Sequence, residues 1–109
     1  MTQPAKHTPG PWQISAIQNE PEKISIIDAD MCFVAEVWQT YINGESRQQA
    51  NAHLIAAAPA MYTTGKLFVD VMARVARELE RLGNEPLRAL LRSAIIEQEA
   101  ALAQAEGRQ

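Results

Sequence analysis

Residues 23–38 read KISIIDADMCFVAEVW, and this stretch decides the first half of the fold. A β-branched run, Lys23–Ile27, is followed by a second apolar run from Met31 to Trp38. The three residues between the runs, Asp28-Ala29-Asp30, fit a hairpin turn, because aspartate tolerates turn conformations and can bond its own backbone. The stretch therefore predicts two antiparallel strands.

The residues before this hairpin predict a third strand. Residues 12–16 alternate between apolar and polar side chains, which is the period of a half-buried strand, and the turn-rich residues 18–21 follow. Residues 1–11 are polar and proline-rich, so we expect an extended arm there. Three short strands with short connections favour an antiparallel meander over about residues 12–42.

The sequence becomes helical after the strong turn dipeptide Asn43-Gly44. Ser46 and Gln49 fit a capping box at the start of a first helix over about residues 46–58. Pro59 is expected to end that helix, because the residue before a proline is pushed out of the helical region. A second helix is predicted over about residues 60–82, where apolar residues recur at helical spacing.

A third helix is predicted over about residues 85–105. Gly83 fits the end of the second helix, Asn84 fits the N-cap of the third, and Pro86 falls in its first turn. The predicted fold is therefore α+β: a three-stranded antiparallel β-meander followed by three helices, the last two forming an antiparallel hairpin. We expect the arm of residues 1–11 to lead into a single domain over residues 12–109.

Composition limits the classes of function. The chain has 109 residues, 47% of them hydrophobic, and a net charge of −3, which is typical of one soluble domain. No segment resembles a membrane span or a secretory signal. The mild acidity argues against a nucleic-acid-binding surface over most of the protein and leaves a local basic patch open. The single cysteine, Cys32, fits a reducing compartment, so we expect the cytoplasm of the host cell.

The potential metal ligands and nucleophiles do not form a recognisable constellation. His7, His53 and Cys32 are scattered along the chain, so we expect neither a metal nor a cofactor. Asp28 and Asp30 lack the further oxygen ligands that a calcium loop supplies, and a solvated turn explains them better. We therefore expect a protein that is not an enzyme.

The arginines and apolar residues of the last two helices suggest a surface. Several arginines stand three or four residues from a carboxylate, so an ion-paired, solvated helix face explains them better than a nucleic-acid site. The two helices also carry more apolar positions than a three-stranded sheet can cover. We therefore predict a homo-oligomer, most simply a dimer.

Two further segments carry a resemblance: HTPGPW at residues 7–12 and ANAHLIAAAP at residues 50–59. Together they resemble small proteins encoded by bacteriophages and prophages, in which such an opening, a short β region and such a helix precede a helical tail. The resemblance implies a phage-associated accessory protein and no particular activity. Small accessory proteins of this kind often act by binding, for example by blocking host defence proteins or sequestering their nucleotide signals.

The two motifs also predict structure. Pro9, Gly10 and Pro11 predict a stiff bend that delivers Trp12 to the sheet, with Pro59 closing the helix motif. Asn51, a polar residue among alanines, is expected to be buried and to bond the backbone of that bend.

We expect a non-enzymatic interaction module that self-associates through its helices and binds a host macromolecule, such as a defence protein. The alternative is a protein that binds a nucleotide-like ligand in a groove between subunits. That groove would lie near Trp12, Trp38 and His53.

Overall fold

A computed structural model of the chain describes residues 7–15 and 22–107. Three strands, β1 (Gln13–Ile14), β2 (Lys23–Ile27) and β3 (Phe33–Trp38), form an antiparallel sheet in the order β1-β2-β3. The predicted meander is therefore confirmed. The turn predicted at residues 18–21 and arm residues 1–6 lie outside the described residues, as does Ala16 of the predicted first strand.

The turn between β2 and β3 is built around Asp28. One carboxylate oxygen, Oδ1, accepts hydrogen bonds from the backbone amides of Asp30 and Cys32, both at 2.9 Å. Met31 adopts the left-handed conformation with φ of 66°, which lets the chain reverse within four residues. The prediction of an aspartate-stabilised hairpin turn is thus confirmed.

A second, small sheet follows, which the sequence analysis did not predict. Strands β4 (Tyr41–Ile42) and β5 (Glu45–Ser46) pair around Asn43 and Gly44, which both have positive φ. Ser46 lies in β5, and its hydroxyl donates to Oε1 of Gln39. The predicted capping box of Ser46 and Gln49 is therefore wrong, because the hairpin continues through Ser46.

Two helices follow instead of three. Helix α1 (Gln48–Arg81) runs through Pro59 without a break, and helix α2 (Glu85–Ala105) has the predicted bounds. The predicted helices over 46–58 and 60–82 are thus one helix. A proline inside a helix costs about 3 kcal/mol. Burial of apolar side chains on both sides of Pro59, and of the proline ring itself, offsets this cost.

The chain forms two compact units, one up to residue 61 and one from residue 62 onward. Helix α1 contributes to both units, and the single domain over residues 12–109 stays a prediction. In the first unit, Ile24, Ile26 and Val37 of the sheet pack with Ala52 of α1 to form a core. In the second unit, the most buried side chains are Ala76 of α1 and Ile95 of α2.

The connection between the helices follows the predicted local signals. Gly83 has φ of 77°, the left-handed conformation that ends helices. Asn84 caps α2, because its side-chain oxygen accepts from the backbone amide of Leu87 at 3.3 Å, and Pro86 lies in the first turn. Neither α1 nor α2 has a segment long and apolar enough to span a bilayer.

Candidate interaction surfaces

The two sequence motifs meet in the first unit. A β-carbon added to Gly10 would lie 2.6 Å from Cβ of the buried Pro59. The bend therefore contacts the helix motif at its final proline. Trp12 follows the bend, and its indole Nε1 donates to the carbonyl of Thr8 at 3.2 Å. The half-buried Trp12 packs against the core, which agrees with the predicted delivery of this side chain to the sheet.

Asn51 does not make the predicted contact. Its side chain is exposed, whereas Gln48, Ala52 and Pro59 form the buried face of this part of α1. These three residues recur at intervals of four and seven, which places Asn51 on the flank of the buried stripe. The prediction that the Asn51 amide is buried is therefore wrong. Its alanine neighbours gave no indication of which side of the helix faces the sheet.

The residues of the alternative groove lie apart within the chain. Trp12 precedes Gln13, which pairs with the Ile27 end of β2, and Trp38 pairs with Lys23 at the other end. Four residues of strand, about 13 Å, separate these ends. His53 is exposed on α1. A ligand groove between two subunits near these residues stays a prediction.

Three large exposed side chains lie close together in the chain, one at the end of β3 and two in β4. Trp38 is 57% exposed, Tyr41 is 63% exposed, and Ile42 is about equally open. We call Trp38, Tyr41 and Ile42 the aromatic corner. The ammonium group of Lys23 lies 5.8 Å from the centre of the Trp38 ring and 3.6 Å from the carboxylate of Glu36. This cation–π contact favours the observed position of the exposed indole.

The titratable residues form no metal site within residues 7–15 and 22–107, where no three His, Cys, Asp or Glu residues are grouped to hold an ion. Cys32 is exposed and carries a free thiol. A hydrogen bond from Arg81 lowers the pKa of the exposed Glu78 carboxyl, and the same contact raises the pKa of Arg81. The absence of a metal or cofactor in the functional protein stays a prediction.

In the second unit, residues 62–81 of α1 and all of α2 form an antiparallel hairpin. The hydroxyl of Tyr62 donates to Glu106 at 2.8 Å, and a side chain at Gly65 would meet Gln98 and Leu102. Near the other end, Arg88 lies 3.9 Å from Glu80. The predicted antiparallel hairpin of the last two helical segments is therefore confirmed.

One side of this hairpin is apolar. The buried Ala76 and Ile95 mark the line along which the two helices touch. The residue before each of them, Val75 or Ala94, lies about 100° around its helix from that line, on the same side of the hairpin. A seven-residue repeat from Val75 and from Ala94 adds two more residues of each helix to this side. The α2 members are exposed, and of the α1 members Phe68 is half-buried and the other two are exposed. We call these residues the apolar face: Phe68, Val75 and Leu82 of α1, and Leu87, Ala94 and Ala101 of α2.

The opposite side of the hairpin is polar. Lys66 and Asp70 of α1 and Glu99 and Glu106 of α2 line an open groove of about 270 Å³, with Val69 and Leu102 beneath them. These residues lie on the other side of the contact line from the apolar face, as the seven-residue repeat requires. The hairpin is therefore two-sided, and its charges are concentrated away from the apolar face.

Two arginines of the hairpin form ion pairs. Arg88 lies 2.9 Å from Glu85, and Arg81 pairs with Glu78. The predicted ion-paired helix face is therefore confirmed only for these two arginines, since within residues 22–107 no salt bridge joins Arg74, Arg77 or Arg92 to a carboxylate. The aromatic corner and the membership of the apolar face were not predicted from the sequence. The sequence does carry a signal for the face, because apolar residues recur every seven positions on each helix. The repeat runs from Phe68 to Leu82 on α1 and from Leu87 to Ala101 on α2.

The fold and these surfaces define a small α+β protein in which a β-meander precedes a helical hairpin. Over residues 1–109 the chain matches the model of a protein family described as Salmonella phage P22 protein Y8K6. The chain therefore belongs to this phage protein family, and the resemblance to phage proteins is confirmed. Searches of curated proteins and of solved structures gave no match.

Proposed function

We propose that this phage protein is a non-enzymatic interaction module that binds a host protein through the aromatic corner. The observation that carries the proposal is the exposure of Trp38, Tyr41 and Ile42 within five residues of the chain. Tryptophan and tyrosine are enriched among the residues that dominate binding energy at protein interfaces. Large apolar side chains that a folded protein exposes close together in the chain are candidates for contact with a partner.

The contacts of the corner favour a protein over a nucleic acid as the partner. Lys23 pairs with Glu36, and Arg47 pairs with Glu45 at 3.5 Å. Nucleic-acid affinity comes mainly from the counterions that are released when lysine and arginine neutralise phosphates. Cations that already pair with carboxylates neutralise phosphates less effectively and release fewer counterions. Lys23 also orders the Trp38 ring before binding, which reduces the entropy lost when a partner covers it.

Self-association through the helices is the second part of the proposal. It is supported by the exposed apolar side chains of the hairpin, among them Leu82 and Leu90, which are 62% and 69% exposed. A module that presents two apolar surfaces can hold a partner with one and a second copy with the other. We propose that it acts in the cytoplasm of the host cell, where Cys32 stays reduced.

Site-specific photocrosslinking in the host cell tests the host-binding part. A benzophenone amino acid replaces Tyr41 in one variant and Gln49 in a control, since Gln49 is also exposed in the first unit. We expect a discrete host-protein adduct from position 41 only, lost when Trp38→Ala is added. Adducts that are the same at both positions, or that survive Trp38→Ala, would contradict the proposal. A co-purifying small molecule lost in Trp12→Ala and His53→Ala would support the nucleotide-binding alternative instead.

A further inference from the structure

The apolar face of the hairpin carries an inference about its occupant. On α2 this face consists of leucine and alanine, while the charged residues of the hairpin groove lie on the opposite side. A surface without charge does not select a charged partner, and its apolar side chains are stabilised by another apolar surface. A second copy of the chain offers such a surface, because its own apolar face has the same length and the same pattern of side chains.

Its size can be compared with what a dimer needs. The apolar face spans 14 residues of each helix, about 21 Å, and two helices side by side are roughly 20 Å wide, so the face covers on the order of 400 Å². Each partner of a standard protein interface contributes about 800 Å². Side chains at the rim, such as Val71 and Leu90, which are both exposed, add to the area of the face.

The register of the hairpin places the midpoints of the two stripes side by side. Tyr62 lies opposite Glu106, and Glu80 lies opposite Arg88. Because both helices rise by the same amount per residue, Val75 is level with residues 93 and 94. Val75 is the midpoint of the α1 stripe and Ala94 is the midpoint of the α2 stripe. One axis at this level can therefore relate both stripes to those of a second copy.

We infer that a second copy of this chain occupies the apolar face, related by a two-fold axis that passes between the hairpins at the level of Val75 and Ala94. The inference rests on the self-association part of the proposed function and names its surface and symmetry. The axis makes the two α2 helices antiparallel, with Leu87 opposite Ala101 of the second copy. In the same way, Phe68 lies opposite Leu82 of the second copy, and the four helices form a bundle.

Side-chain volume selects this arrangement over one with both hairpin tips at the same end. With the tips together, the layer at the tips would hold four leucines, and the layer at the other end would hold two phenylalanines and two alanines. The two-fold axis at Val75 and Ala94 instead gives both end layers the same set of one phenylalanine, two leucines and one alanine. Equal layers let the helices keep an even separation, as close packing requires.

Light scattering with matched charge variants tests the surface. We expect the protein to have twice the 12.1 kDa mass of one chain. Leu87→Glu should weaken the dimer at least about 30-fold. Ile96→Glu is the control, because Ile96 is exposed and lies the same angle from the buried Ile95 on the polar side. Circular dichroism verifies that both variants fold.

Disulfide formation tests the symmetry, in a Cys32→Ser background. Ala94→Cys should give a covalent dimer on mild oxidation, because the axis brings residue 94 of both copies within the few ångströms that a disulfide spans. Ala101→Cys, on the same face, should not, because 14 residues of helix, about 21 Å, separate the two thiols. Ala103→Cys on the polar side is a second control.

The outcomes separate this inference from the proposed function. A monomer at high micromolar concentration overturns both the inference and the self-association part of the proposal, while the crosslinking at position 41 still decides host binding. A dimer that survives Leu87→Glu, or that crosslinks through Ala101→Cys rather than Ala94→Cys, overturns the inference alone.

Discussion

Gly10 lies so close to Pro59 that a β-carbon on Gly10 would stand 2.6 Å from the proline Cβ and 3.3 Å from its Cγ. Carbon atoms that are not bonded to each other do not approach this closely without a shift of the chain. The proline ring cannot move aside as a flexible side chain would, because it is closed on its own backbone. The contact between the bend and the buried Pro59 ring therefore requires a residue without a side chain at position 10.

Gly10→Ala should lower the stability of the first unit. The substitution restricts the unfolded chain, which by itself favours folding by up to about 1 kcal/mol. The overlap with Pro59 should cost about 1–3 kcal/mol and outweigh this gain. We expect the melting temperature to fall by several degrees. Gly65→Ala is the control, because the added carbon there meets mainly the flexible Gln98 side chain. An equal loss from both variants would show that the Pro59 ring is not the cause.

Gln48→Ala should be destabilising although it removes a polar side chain. Gln48 is buried, and its Nε2 donates to the carbonyl of Val37 at 2.9 Å, which joins the first residue of α1 to β3. Loss of the side chain leaves a cavity and removes a hydrogen bond, at a cost of about 1–3 kcal/mol. Gln49→Ala, at the exposed neighbouring position, should change stability by less than about 0.5 kcal/mol. Chemical denaturation of both variants measures the difference.

The parts of the fold that were predicted correctly depend on neighbours in sequence. Asp28 bonds to amides two and four residues away, and Asn84 bonds to an amide three residues away. Such contacts can be inferred from the residues themselves. Pro59 was misjudged because its ring is buried in the folded chain, where it contacts Gly10, 49 residues earlier. The Ser46 capping box failed because a hairpin around Asn43 and Gly44 competed for the same residue.

The candidate surfaces were harder to predict for a related reason. The sequence shows that the helices have surplus apolar residues, but which of them are covered depends on where the two helices touch. Once Ala76 and Ile95 are known to be buried, the positions of Val75 and Ala94 follow from helical geometry. Tyr41 and Ile42 fall within the span predicted for the meander, about residues 12–42, whereas in the structure they form β4 of the small hairpin and are exposed.

The same substitution at two asparagines should have opposite effects. Asn84→Ala removes the side-chain cap of α2 and should cost about 1 kcal/mol. Asn51→Ala acts at an exposed position inside α1, where alanine is the better helix former, and should raise stability by several tenths of a kcal/mol. Thermal unfolding measures both. A lower melting temperature for Asn51→Ala would point to a contact of its amide that supports the fold after all.

The pair of Glu78 and Arg81 should give a small, pH-dependent contribution. The pKa of Glu78 is lowered from its ordinary value of 4.5 by the hydrogen bond from Arg81. The ionised carboxylate therefore stabilises the folded state above pH 4.5, and this contribution is lost as the pH falls through the lowered pKa. Both groups are exposed, so the effect should be small and screened by salt. Glu78→Gln should slightly lower the melting temperature at pH 7 in low salt, and a difference that persists in 1 M salt would contradict this explanation.

The two tryptophans should report on different parts of the first unit. Trp12 is half-buried against the core, whereas Trp38 is more than half exposed beneath Lys23. In Trp12→Phe the remaining emission comes from Trp38 and should be red-shifted and strongly quenched by acrylamide. In Trp38→Phe the emission from Trp12 should be bluer and less accessible to the quencher.

Binding of a host protein at the aromatic corner should then change only one of these signals. A partner that covers the corner excludes water and acrylamide from the Trp38 ring, so quenching should fall in the Trp12→Phe variant. In the Trp38→Phe variant the emission comes from Trp12, whose indole already bonds to Thr8. Quenching of Trp12 should not change when the partner is added, although the partner binds this variant more weakly. Protection of Trp12 with Trp38 still accessible would place the partner at the HTPGPW bend and contradict binding at the corner. The proteins to add in this titration are those identified by crosslinking at position 41, because that position is three residues from Trp38.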